Sequence, residues 1–180
     1  MPYILIGALI ALVIIWMISV QRKLVVMDEH VDDAMNQIGV QLSSCFEALV
    51  ALLNLTKDYA AQESRPLLDA IKLYRNTITA KSTPNDVQKQ EDMITEALDR
   101  ISVIAEQYPE LKANKNYLKC MNAIDCYEKM IRTSCLIYNN SAAKINRELR
   151  IFPTSVLGGM LGFHQRGYVE TLEEKLIYTV

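Results

Sequence analysis

The chain has 180 residues and a formal net charge of -2, which leaves room for one domain and an anchor but argues against a nucleic-acid-binding surface. Hydrophobic residues make up 51%, yet residues 1–20 hold no charged side chain while the remainder is charge-rich. Six glycines and five prolines are too few for a β-sandwich, which needs a turn about every ten residues.

The first element in chain order is the uncharged run 1–20, dense in Ile, Leu and Val. As a helix, about twenty residues at ~1.5 Å each cross the ~30 Å hydrocarbon layer. Tyr3 and Trp16 stand near its two ends, where amphipathic rings favour the headgroup region, and Val20 closes it. A cleaved signal peptide would carry a basic leader, a shorter apolar core and small residues at a cleavage site. None of these is present. A buried core helix would not be apolar on every face. Arg22 and Lys23 follow at once, so the positive-inside rule places the N-terminus outside and residues 24–180 in the cytoplasm.

A stripe through Leu24, Val31, Met35, Ile38, Leu42, Cys45, Leu49, Leu52, Thr56 and Tyr59 predicts that the spanning helix runs on into the first helix of the domain. Leu67, Ile71, Tyr74 and Ile78 make a second, shorter stripe, opened near Ser64 and Pro66. Residues 81–85, Lys-Ser-Thr-Pro-Asn, form a turn. Val87, Glu91, Ile94, Leu98, Ile101, Ala105 and Tyr108 form a third stripe that stops before Pro109. The longest one alternates steps of four and three through Tyr117, Met121, Ile124, Glu128, Ile131, Cys135, Tyr138, Ala142, Ile145 and Leu149. It ends by Phe152-Pro153, since a proline disfavours helix at the residue before it. Four amphipathic segments with short connections predict an all-α fold: the N-terminal transmembrane helix plus an antiparallel four-helix bundle. The domains are then 1–23 as anchor, 24–153 as bundle, and 154–180 as a Gly-rich apolar segment with a short acidic helix over 169–178.

The Gly-rich segment carries Leu157, Met160, Leu161 and Phe163. An up-and-down bundle returns the chain to the end where it began, which is the membrane. These four side chains then rest on the cytoplasmic leaflet, with Arg166 at the headgroups, or the segment closes the open end of the bundle. Both readings stay open at this point.

No catalytic constellation emerges. The histidines, His30 and His164, have no cysteine or acid at ligand spacing, and no CxxC, P-loop, GxGxxG or G-x-S-x-G occurs. Cys45, Cys120, Cys126 and Cys135 read as free thiols in a reducing compartment. Glu91 and Glu128 stand where hydrophobes are expected; each is a boundary carboxylate or a buried acid, and Arg132 lies four residues after Glu128 in the favoured order. No cofactor or metal is implied. Asn139-Asn140-Ser141 matches a glycosylation pattern, but it falls on a helix in the cytoplasm and reads as chance.

Tyr108-Pro109-Glu110-Leu111-Lys112-Ala113-Asn114, followed by Asn116-Tyr117, resembles the signature of LemA-family proteins, with Tyr108, Pro109, Leu111, Lys112 and Asn114 carrying the match. Ile38 to Leu42, Tyr59-Ala60 with Glu63, Arg75, Glu128, Ile131, Tyr138-Asn139, Asn146, Phe152-Pro153 and Gly162-Phe163 follow in the family's order. The departures are Ser43, Ser44 and Cys45 in place of a basic cluster, Val50-Ala51 in place of Pro-Asn, and Cys135 where Arg is common. Cys45 and Cys135 are expected to face each other across the core. The resemblance implies a membrane-tethered bundle of the mirror-variant up-and-down type, with its N-terminus out and no established enzymatic activity.

Two functions follow as expectations. The first is a scaffold or adaptor whose partners are the lipid bilayer and an unidentified protein. The second is a membrane-shaping protein that acts as a homo-oligomer.

Overall fold

The computed structural model describes residues 2–75 and 77–170. Among these residues six helices follow one another: α1 (Pro2–Thr56), α2 (Ala61–Tyr74), α3 (Pro84–Gln107), α4 (Pro109–Ala113), α5 (Lys115–Glu148) and α6 (Thr154–Met160). Among the described residues there is no strand.

α1 is one unbroken helix of 55 residues, as expected where neither proline nor a turn signal interrupts the pattern after Pro2. Its two parts differ only in what covers them. Residues 3–19 are all exposed, whereas Leu24, Val31, Met35, Ile38, Leu42, Cys45, Leu49, Leu52 and Thr56 are buried. α1 packs mainly on α5. The two run antiparallel: Lys23 Nζ reaches Glu148 Oε1 at 2.7 Å, and Gln37 and Gln41 share a surface depression with Ser134 and Met130. Levels on α1 and α5 therefore sum to about 171. On α5 every residue of the sequence stripe is buried or half-buried.

α2 departs from expectation at both ends. It begins at Ala61, so Pro66 lies inside it rather than opening it. It ends at Tyr74, short of Ile78. Thr77, Ile78 and Thr79 are β-branched and favour extended chain, and α1 offers that chain a place to lie. Gly39 supplies the room, because a Cβ there would collide with the Ile78 carbonyl. Asn36 Oδ1 accepts the Ala80 N–H at 2.8 Å, and Ile78 is buried without being helical.

The turn expected at 81–85 is shorter, because α3 already opens at Pro84. Thr83 Oγ1 accepts from the Asp86 N–H at 3.3 Å, and Asp86 Oδ2 accepts the Thr83 N–H at 2.9 Å, a reciprocal capping box followed by proline in the first turn. The Thr83 N–H and the Thr83 hydroxyl, which donates to the same oxygen at 2.8 Å, hold the Asp86 carboxyl below its ordinary range. α3 stops at Gln107 because Pro109 follows. Tyr108 then stacks obliquely on Tyr59, ring centroids 6.3 Å apart, which places the end of α3 beside the end of α1.

Candidate functional site: the apolar end and the clamped C-terminal segment

One helix among the described residues, α1, is long and apolar enough to cross a membrane, and almost none of its apolar window is buried inside the molecule. Leu5 is 73% exposed. So large an apolar surface is stable only where lipid or protein covers it. Tyr3 and Trp16 lie exposed on this rod and Val20 is half-buried at its inner end. Arg22 is exposed beyond it, while Lys23 is held by Glu148.

α6 returns to this level. Thr154, Leu157 and Gly158 face inward, and a Cβ on Gly158 would meet the Leu149 side chain. Leu157 is therefore part of the packing, and Phe163 is half-buried against the core. Met160 and Leu161 point outward. The four side chains grouped by sequence thus divide into two inner and two outer. The missed outward residues are Ile151, Phe152 and Val156; the four-residue spacing of Phe152, Val156 and Met160 would have disclosed them had 154–160 been read as a helix.

Past Gly162, whose φ of +81° suits glycine and allows the chain to reverse, residues 163–170 run back along α5 outside any helix. The Asn146 side chain donates to the Arg166 carbonyl and accepts the Arg166 N–H, both at 2.8 Å. Asn139 does the same to Val169 at 2.8 and 2.9 Å. Tyr138 Oη donates to the Gly167 carbonyl at 3.1 Å. The spacing explains the match: seven helical residues advance ~10.5 Å and three extended residues advance ~10 Å, so both amides meet the same extended segment in register. Val169 is fully buried at its end.

Arg166, expected at the headgroups, is committed elsewhere. Its Nη2 lies 2.7 Å from Asp28 Oδ1 and 3.0 Å from Asp32 Oδ1 on successive turns of α1, a charge-assisted pair of bonds that ties the segment to the first helix. Val169 and Glu170, expected to open an acidic helix over 169–178, are not helical; residues 171–178 lie outside the described residues.

The signature residues build a corner. Pro109 opens α4, Leu111 is fully buried, and the Asn114 side chain accepts the Asn116 N–H at 2.8 Å to cap α5. Tyr108 makes the ring contact described above, and Lys112 is exposed. At the place of the missing basic cluster, Ser43 instead receives Arg75, whose guanidinium also stands over the Phe46 ring and near Glu47.

Cys45 and Cys135 are both fully buried, and burial pushes each thiol up to about 12, which makes them inert. They do not face each other. The α1–α5 register sets Cys135 level with residue 36, about 13 Å along the axis from Cys45. Burial, then Asp125, raises Glu128 above its ordinary value while Arg132 opposes them. Among the described residues no group of three or more His, Cys, Asp or Glu could hold a metal ion. Among the described residues, neither Glu91 nor Glu128 lines the open depressions that contain His30, Asn85, Thr77 and Gln41.

These features define a class: a largely helical protein with one long apolar N-terminal helix that continues into a packed domain. The family model described as LemA family matches residues 34–178, and the chain belongs to the LemA family. A comparison with curated proteins finds no match.

Proposed function

We propose that this protein is a non-enzymatic, membrane-anchored scaffold or adaptor. It crosses the bilayer once through residues 1–23, with its N-terminus outside and its body in the cytoplasm. Tyr3, Trp16 and Val20 lie within the span, and Arg22 and Lys23 hold its inner end at the headgroups. Residues 24–153 form an antiparallel four-helix bundle of the up-and-down type, in which α2 with its extended continuation counts as the second member. Residues 154–180 form the C-terminal part that folds back on the bundle, of which Leu157, Met160, Leu161 and Phe163 are the membrane-proximal apolar side chains. Its partners are lipid and a protein that reads the bundle surface.

The observation that carries this reading is the continuity of α1 from exposed apolar rod to buried core stripe. A helix without a break transmits the orientation of the membrane to the domain. The test is alkaline extraction of membranes from cells producing the full chain, followed by protease treatment of sealed vesicles of known sidedness. The chain is expected to stay in the pellet and its domain to be cut only from the cytoplasmic face. Release by alkali, or cleavage from the opposite face, defeats the reading. Crosslinking within the membrane from exposed positions on α3 and α5 then distinguishes a distinct protein partner from self-association.

A further inference from the structure

α6 has an inner face that the fold uses and an outer face that it does not. Phe152, Val156 and Met160 recur every four residues and are 79%, 56% and 79% exposed, with Ile151 and Leu161 beside them. Position tells what meets them. Gly158 lies against Leu24, and Glu148 against Lys23, so this stripe stands level with the point where α1 leaves its apolar segment.

Charge along the axis is ordered as well. Arg22 and Lys23 on α1 share that level with Arg147 on α5 and Arg150 just past its end, by the same register; the acid there, Glu148, is bound to Lys23. Asp28, Glu29, Asp32 and Asp33 begin about 9 Å farther along α1, and Arg166 occupies two of them. An apolar stripe, a belt of cations and a withdrawn belt of acids match the layers of a leaflet with anionic headgroups. A second copy would bring the same cations against themselves.

We infer that α6 and the turn that leads into it are interfacial: Phe152, Val156 and Met160 dip into the leaflet on the domain's side of the bilayer, and Arg22, Arg147 and Arg150 engage anionic lipid headgroups. This rests on α1 spanning the membrane. It gives the domain a second point of lipid contact, which fixes its rotation about the α1 axis as well as its distance.

The experiment uses the full chain in vesicles of phosphatidylglycerol and phosphatidylcholine whose acyl chains are brominated near the headgroup or near the bilayer centre. The chain has one tryptophan, Trp16, so the parent protein reports on the span, and Met160→Trp in a Trp16→Phe background reports on α6. Phe152→Trp in the same background is the second reporter. Emission from positions 160 and 152 is expected to be quenched by shallow bromine more than by deep bromine. Arg147→Ser and Arg150→Ser each lower the docked fraction ratio about fivefold, and omission of phosphatidylglycerol lowers it further. Quenching of Trp16 without quenching at position 160 or 152 overturns the inference and leaves the anchor standing. Absence of quenching at Trp16 removes the anchor itself. A blue-shifted but unquenched signal at 160 means that protein, such as a second copy, covers the stripe, and this also overturns it.

Discussion

Glu128 sits in the middle of a stripe of Ile, Cys and Tyr side chains on α5, and its environment disfavours its charge. Burial and Asp125 raise its proton affinity above the ordinary value of 4.5, more than Arg132 lowers it. For a carboxylate the sign is then a penalty: present above the folded-state pKa, and removed as pH falls through that pKa to below the unfolded value. Glu128→Gln, which cannot ionise, is expected to raise the thermal midpoint at pH 7 and to match the parent at pH 4. Melting curves at the two values check this, and a midpoint lowered at pH 7 would show that the bond to a cation outweighs burial. The hydrophobic positions around Glu128 were legible in the sequence because a four-three alternation leaves one face no choice. Asn146 and Ser134 were not, since a polar residue within a helix reads as solvated until the segment that covers it is known; both are buried.

At the scale of elements, two stretches of extended chain escaped the sequence reading for one reason. Neither 77–80 nor 163–170 is specified by its own periodicity; each is held by residues on a distant helix. Asn36 and Gly39 receive the first, and Asn146, Asn139 and Tyr138 receive the second. The residues that resemble the family pattern at Tyr138-Asn139 and Asn146 therefore act as a clamp on backbone, which a pattern alone does not disclose. Removing one amide strands a carbonyl and an N–H at the domain's edge, at a cost of about 2 kcal/mol. Asn146→Ala is accordingly expected to speed hydrogen exchange at the Arg166 amide about thirtyfold, with a smaller rise at Val169. Asn139→Ala should reverse the ranking. The double substitution is expected to add less than the sum, because both amides hold the same extended segment. Equal exchange in parent and Asn146→Ala protein would mean that Arg166 with Asp28 and Asp32 suffices to seat the segment.

For the whole molecule, the decisive property is that exposed apolar residues and core-facing residues share one helix. Val20 to Leu24 is a boundary of environment and not of structure: the backbone continues as helix while its surroundings change from exposed apolar to packed. That boundary was legible from composition, because charge appears at residue 22 and the buried stripe starts at Leu24. Helices bend gently unless Pro, Gly pairs or inserted groups interrupt them, so the domain has little freedom to swing. A flexible Gly-Ser insertion between Gln21 and Arg22 is therefore expected to broaden the distribution of distances between a probe on Ser102 at the far end of α3 and the bilayer surface, as measured by pulsed spin resonance. The melting of the domain should change little, because the insertion lies outside the buried stripe. If the parent's distribution is already as broad as that of the insertion variant, the helix frays at the membrane and the rod does not orient the domain. If the insertion also melts the domain, α6 and Leu24 depend on the membrane-side turn for their packing, and anchor and body form one cooperative unit.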